Sequence, residues 1–148
     1  MNLLGDANAA HDIVIDGKNG SFNGIGQGIT AGHDVRMTAG DSINYIGTAQ
    51  KSMHAGHDID LQVTNPGSEH SGIYIGALSD GTPPNPNVTS LEAGNTARFD
   101  VQGDGNITLG GNIVAQNGDV TANISGEGSV VITGSVESRN QSVSVETG

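Results

Sequence analysis

A seven-residue phrase returns along this chain at a near-fixed interval, and that property confines the chain to repeat architectures. Ala55-Gly56-His57-Asp58-Ile59-Asp60-Leu61 repeats Ala31-Gly32-His33-Asp34-Val35-Arg36-Met37. Looser copies are Ala9-Ala10-His11-Asp12-Ile13-Val14-Ile15 and Ala93-Gly94-Asn95-Thr96-Ala97-Arg98-Phe99. Each copy reads as a turn followed by a short strand with alternate residues apolar. The apolar anchors run Ile13, Val35, Ile59, Ala97, Val120, Val143, with gaps of 22, 24, 38, 23 and 23 residues. Four gaps are one period to within a residue, and the fifth carries about 15 extra residues.

The C-terminal part defines the unit. Ile107, Ile113 and Val120 are each followed 23 residues later by Val130, Val136 and Val143. The coil therefore holds three strands: Ile107-Thr108-Leu109, Ile113-Val114-Ala115 and Val120 to Ile124, with the next coil repeating them from Val130, Val136 and Val143. Alternate residues of a strand share a face, so Ile107 with Leu109 and Val130 with Ile132 point inward as stacked pairs. No stretch carries apolar residues at helical spacing over three turns. The pattern predicts an all-β, three-sided parallel β-helix (β-solenoid) of five to six coils, as a single domain over 1–148. The extra residues fall at about 64–90, where Asn65-Pro66-Gly67 and Thr82-Pro83-Pro84-Asn85-Pro86 break strand pairing. Within this excursion Ile73 and Ile75 are expected to keep a first strand.

Composition fits a stack better than a globule. Hydrophobic residues are 34% of the chain and only Phe22, Phe99, Tyr45 and Tyr74 are large aromatics, so the core must be thin and built from Ile, Val, Leu and Ala. The 24 glycines belong to turns. A formal net charge of −11 argues against nucleic acid or an anionic membrane as partner. The absence of Cys removes thiolate metal sites and thiol catalysis. No apolar run approaches the ~20 residues that span a bilayer, so membrane insertion is not expected. Met1 to Asp6 lacks the features of a signal peptide, so either another export route serves or Met1 is not the natural start. The repeat starts by Ile13 and runs to Val145 with no cap visible. Ile13, Ile15, Val143 and Val145 are accordingly the expected assembly edges.

The phrases Ala-Gly-His-Asp-Ile-x-Leu, Asn106-Ile107-Thr108-Leu109 and Gln116-Asn117-Gly118-Asp119-Val120-Thr121 resemble the repeats of filamentous haemagglutinin-type exoproteins, the two-partner secretion adhesins and contact-dependent inhibition sticks. The resemblance covers most of the chain outside 64–90. It implies a right-handed solenoid, export across a bacterial outer membrane and a role in a long surface fibre. The family's amino-terminal secretion domain is not seen in this sequence.

Candidate chemistry is sparse. His11, His33 and His57 occupy one register beside Asp12, Asp34 and Asp58, and stacking brings them within ~5 Å rungs. Imidazole with carboxylate suits a divalent metal or a pH-sensing ladder. The simpler reading is that each Asp caps backbone N–H groups at a turn while the His faces solvent. Asn95, Gly118 and Gln141 replace His in later coils. Gly103-Asp104-Gly105-Asn106 is a single poor copy of a calcium-binding turn. Five N-x-S/T sequons, at Asn19, Asn87, Asn106, Asn123 and Asn140, are a small excess for so Asn-rich a chain. Asp58 with Asp60, and Asp100 with Asp104, are the carboxylate pairs that a polysaccharide-cleaving β-helix would use, but only Tyr45 and Tyr74 could stack sugars. No Ser/His/Asp set or phosphate loop is present. The excursion, with Glu69, His70 and Tyr74, is the local candidate for specific contact.

The expectation is a non-enzymatic structural solenoid without cofactor. It is a segment or an end-to-end self-assembling subunit of an extracellular or cell-surface bacterial fibre or adhesin, whose partner is itself. The alternative is a module binding glycans or a cell-surface receptor through His70 and Tyr74, as in an adhesin tip or phage fibre. A polysaccharide-cleaving β-helix ranks behind both.

Overall fold

The computed structural model describes residues 1–68, 70–77 and 89–148. Among these there is no helix; the chain winds into about six turns of a three-sided β-solenoid. The first side holds β1 (Asn2–Leu3), β4 (Phe22–Ile25), β7 (Ser42–Ile46), β10 (Gly72–Ile75), β13 (Asn106–Leu109) and β16 (Val130–Ile132). The second holds β2 (Ala7–Ala9), β5 (Ile29–Ala31), β8 (Met53–Ala55), β11 (Ser90–Ala93), β14 (Asn112–Ala115) and β17 (Ser135–Ser138). The third holds β3 (Ile13–Asp16), β6 (Val35–Ala39), β9 (Ile59–Val63), β12 (Ala97–Val101), β15 (Val120–Ile124) and β18 (Val143–Thr147). Every described pairing is parallel and joins strands one coil apart.

The register turns sequence period into columns of side chains. On the third side Ile13, Val35, Ile59, Ala97, Val120 and Val143 lie one above another, and beside them run Ile15, Met37, Leu61, Phe99, Ala122 and Val145. The second side contributes Ala7, Ile29, Met53, Leu91, Ile113 and Val136. These inward columns close the interior, where Val35, Met53, Ile59 and Leu61 are fully buried. The thin core expected from composition also takes aromatics. Tyr45 points inward, with its hydroxyl donating to the Gln27 carbonyl at 2.8 Å. Gly24, next in the same column, leaves room for the Phe22 and Tyr45 rings, which a Cβ there would meet at 3.0 and 3.2 Å.

The long gap contains an intact rung. Ile73 pairs with Ile43 and Ile107, and Ile75 with Tyr45 and Leu109, so β10 keeps the ladder. Glu69 and the run Thr82 to Pro86 lie outside the described residues. The described residues of 64–71 are tied back to the preceding coil. Asp41 accepts the Gly67 N–H at 3.2 Å and the hydroxyls of Ser71, Ser21 and Ser42.

Candidate functional site

The histidine column sits at the turn that leads from the second side to the third. Each turn is stacked on the one before by its own backbone: the His33 N–H donates to the His11 carbonyl and the His57 N–H to the His33 carbonyl, both at 2.8 Å. The rings follow. His11 and His33 lie 4.9 Å apart at 21°, and His33 and His57 lie 4.8 Å apart at 9°. This is strand spacing imposed on side chains.

The aspartates between them cap N–H groups, as expected, but those of the next coil and not of their own turn. Asp12 Oδ1 accepts the Asp34 N–H and Asp34 Oδ1 the Asp58 N–H, both at 3.1 Å, and Asp58 Oδ1 accepts the Thr96 N–H at 3.0 Å. The device continues without histidine at Asp119, which accepts the Ser142 N–H at 3.0 Å. It also appears at Asp104, which accepts the Glu127 N–H at 2.8 Å. These carboxylates staple coil to coil.

Imidazole and carboxylate alternate along the column. Asp12 presents Oδ2 to His11 Nδ1 at 3.1 Å and Oδ1 to His33 Nδ1 at 3.2 Å. Asp34 Oδ1 faces His33 Nδ1 at 3.3 Å and His57 Nδ1 at 3.2 Å, while its Oδ2 accepts from Arg36 at 2.7 Å. The Asp34 N–H holds the Asp12 carboxyl below the usual carboxylate range, against partial desolvation and with help from His11 and His33. Burial alone would push Asp34 up; the Asp58 N–H, His57, His33 and Arg36 together hold it down. Two triplets, His11–Asp12–His33 and His33–Asp34–His57, have ligand atoms within 4.8 Å of one another. The column ends at Asn95, whose amide donates to Asp58 Oδ1 at 3.0 Å.

Two of the other candidates, Tyr74 and Asp100, make hydrogen bonds within the fold. Tyr74 points away from the interior yet is buried, and its hydroxyl donates to the His70 carbonyl at 2.8 Å. Its ring is not presented to solvent, and neither are Phe22, Tyr45 or Phe99. Of the carboxylate pairs, Asp100 is buried in a polar ladder, accepting from Asn123 at 3.0 Å and Gln62 at 3.3 Å. Burial raises Asp60, with Asp100 adding to it and Arg98 opposing. Sequence reasoning missed the Asp41 cluster, because its partners Gly67 and Ser71 lie in the excursion and carry no repeat signal.

The expected assembly edges lie at the two ends of the stack. Val143 and Val145 are 44% and 47% exposed and Ile132 is 43% exposed, whereas Ile59 and Leu61 in the same two third-side columns are fully buried. At the other end Leu3, Ala7, Ala9 and Ile15 are only partly buried. No family model, curated protein or solved structure matches the chain.

Proposed function

We propose that the chain is a non-enzymatic structural rod element, a segment or self-assembling subunit of an extracellular bacterial fibre of the filamentous haemagglutinin type. The observation that carries this reading is the exposure of inward-column residues at the last coil, where Val143, Val145 and Ile132 present apolar side chains beside an unpaired strand edge. A second copy added head to tail would continue every column: Val143 onto Ile13, Val145 onto Ile15, Val136 onto Ala7 and Ile132 onto Leu3. Backbone edges would pair as they do between coils, and a head-to-tail contact that does not close gives an open filament. The burial of all four Phe and Tyr rings supports this over a sugar-binding or sugar-cleaving groove.

Negative-stain microscopy and light scattering of the purified chain test the proposal. Filaments or head-to-tail oligomers are expected. Val143→Asp with Val145→Asp should return the chain to monomers while its far-UV spectrum is retained, since both side chains are already half exposed. Monodisperse single particles at high concentration would overturn the self-assembling subunit and leave the segment reading, and filaments that survive the double substitution would overturn terminal edge pairing.

A further inference from the structure

The histidine–aspartate column has a chemistry that the rod does not use. We propose that it binds one divalent transition-metal ion, of the Zn2+ or Cu2+ class, centred on His11, Asp12 and His33. This does not depend on assembly.

The donor set is two imidazole nitrogens and a carboxylate with no thiolate, which suits Zn2+ or Cu2+ and not Ca2+ or Mg2+. The nitrogen-to-carboxylate separations are close to those between neighbouring ligands on one ion. Tetrahedral bonds of about 2.0 Å place neighbouring ligand atoms about 3.3 Å apart. Here His11 Nδ1 lies 3.1 Å from Asp12 Oδ2, and His33 Nδ1 lies 3.2 Å from Asp12 Oδ1. The ion would sit between nitrogen and carboxylate, displacing any proton carried on Nδ1, and water would complete the shell.

The first triplet is favoured over the second for three reasons. Asp12 gives a separate oxygen to each imidazole, whereas His33 and His57 converge on one oxygen of Asp34 that also accepts the Asp58 N–H. Arg36 is paired with Asp34 and repels a second cation there. The ligand atoms of each triplet lie within 4.8 Å of one another, while bonds of about 2.0 Å span at most about 4 Å, so a ring free to adjust favours binding. His11, with its side chain 78% exposed, can swing, and its ring is already 21° out of parallel with His33, against 9° for the lower pair. His33 belongs to both triplets, so its Nδ1 serves one ion at a time and the stoichiometry is one per chain.

The test is calorimetric titration of the full chain with ZnCl2, and separately with CuCl2, in a buffer that does not chelate. One ion per chain is expected, bound more tightly for Cu2+ than Zn2+, with no heat from MgCl2. His33→Gln, His11→Gln and Asp12→Asn should each weaken binding at least about tenfold. His57→Gln and His54→Gln should leave it within about twofold. The far-UV spectrum and melting temperature of each variant show that it is folded. For the parent chain, two-bond 1H–15N spectra of the histidine rings should report metallation at Nδ1 of His11 and His33. No binding at about 100 µM Zn2+ or Cu2+ overturns the proposal. So does binding that persists in His11→Gln and His33→Gln, or that is lost in His57→Gln instead.

Discussion

Gly56→Ala tests whether column stacking governs this fold. An ideal Cβ at Gly56 falls 3.0 Å from the Gly32 carbonyl carbon and closer still to its oxygen. The same approach recurs up the column, where a Cβ at Gly94 would fall 2.8 Å from the carbonyl carbon of Gly56. The obstacle is backbone held in a hydrogen-bonded turn, since the Gly56 N–H donates to the Ala31 carbonyl at 3.1 Å. It cannot rotate aside as a side chain would. The turn must instead open, straining the adjoining pairing of β5 with β8 and of β6 with β9. Overpacking costs up to about 3 kcal/mol. The lower unfolded-state entropy of alanine returns about 1 kcal/mol at most. The net loss is about 2 kcal/mol, which at a urea slope of about 2 kcal/mol/M moves the midpoint down by about 1 M. Gly5→Ala is the control: nothing lies within 4 Å of a Cβ there, and the midpoint should hold. The assay is equilibrium urea unfolding of both variants followed by circular dichroism. A Gly56→Ala midpoint within about 0.2 M of the parent, or equal losses in the two variants, would refute the reasoning.

Two further outcomes are expected. Leu61→Ala removes a fully buried side chain from the middle of its column and should cost about 2–5 kcal/mol, read as a lowered urea midpoint. Acid should destabilise the fold through its staples, because the carboxyls of Asp12, Asp34 and Asp41 are held below their unfolded values. Their contribution is complete above the unfolded carboxylate pKa of about 3.9 and is lost as pH falls through the folded values. Asp60 runs the other way, since burial raises it and ionisation costs stability at neutral pH. Asp60→Asn should therefore raise the melting temperature at pH 7 and lose that advantage near pH 3; a variant less stable at both pH values would contradict this.

The architecture was legible because β-solenoid register is a one-dimensional property. Residues 23 apart in sequence, such as Val120 and Val143, are neighbours in space, so the period names the contact. Even the rung inside the excursion could be read, since Ile73 and Ile75 retain the alternation that β10 uses. What could not be read depends on direction within a turn. The spacing of Asp12 and Asp34 is the same whether the carboxylate caps its own turn or the next, and only the coil's path selects the Asp34 N–H. Tyr74 likewise reads as an outward residue and is one, but the burial of its ring follows from the packing around it, which has no periodic signature.

The extent of the histidine column follows from where each turn comes closest to the one beneath. In the coils of Gly32, Gly56 and Gly94 the close approach falls one residue before the His column, so that column is open to a side chain. One coil later the approach moves forward by one residue. A Cβ at Gly118 would lie 2.9 Å from the carbonyl carbon and oxygen of Asn95 and closer still to the Thr96 hydroxyl oxygen, so the His column itself is crowded there. Asn95 stands at the border, in a coil that still has the earlier turn, and its amide already reaches Asp58. Asn95→His should therefore extend the stack by one ring and leave stability within about 1 kcal/mol, as a half-exposed substitution that keeps its partner carboxylate. Gly118→His should cost about 3 kcal/mol, because its Cβ meets the Thr96 hydroxyl and the Asn95 backbone together. Urea midpoints of the two variants measure the difference directly. Equal losses would mean that the turn does not shift at Gly118 and that the column stops for another reason.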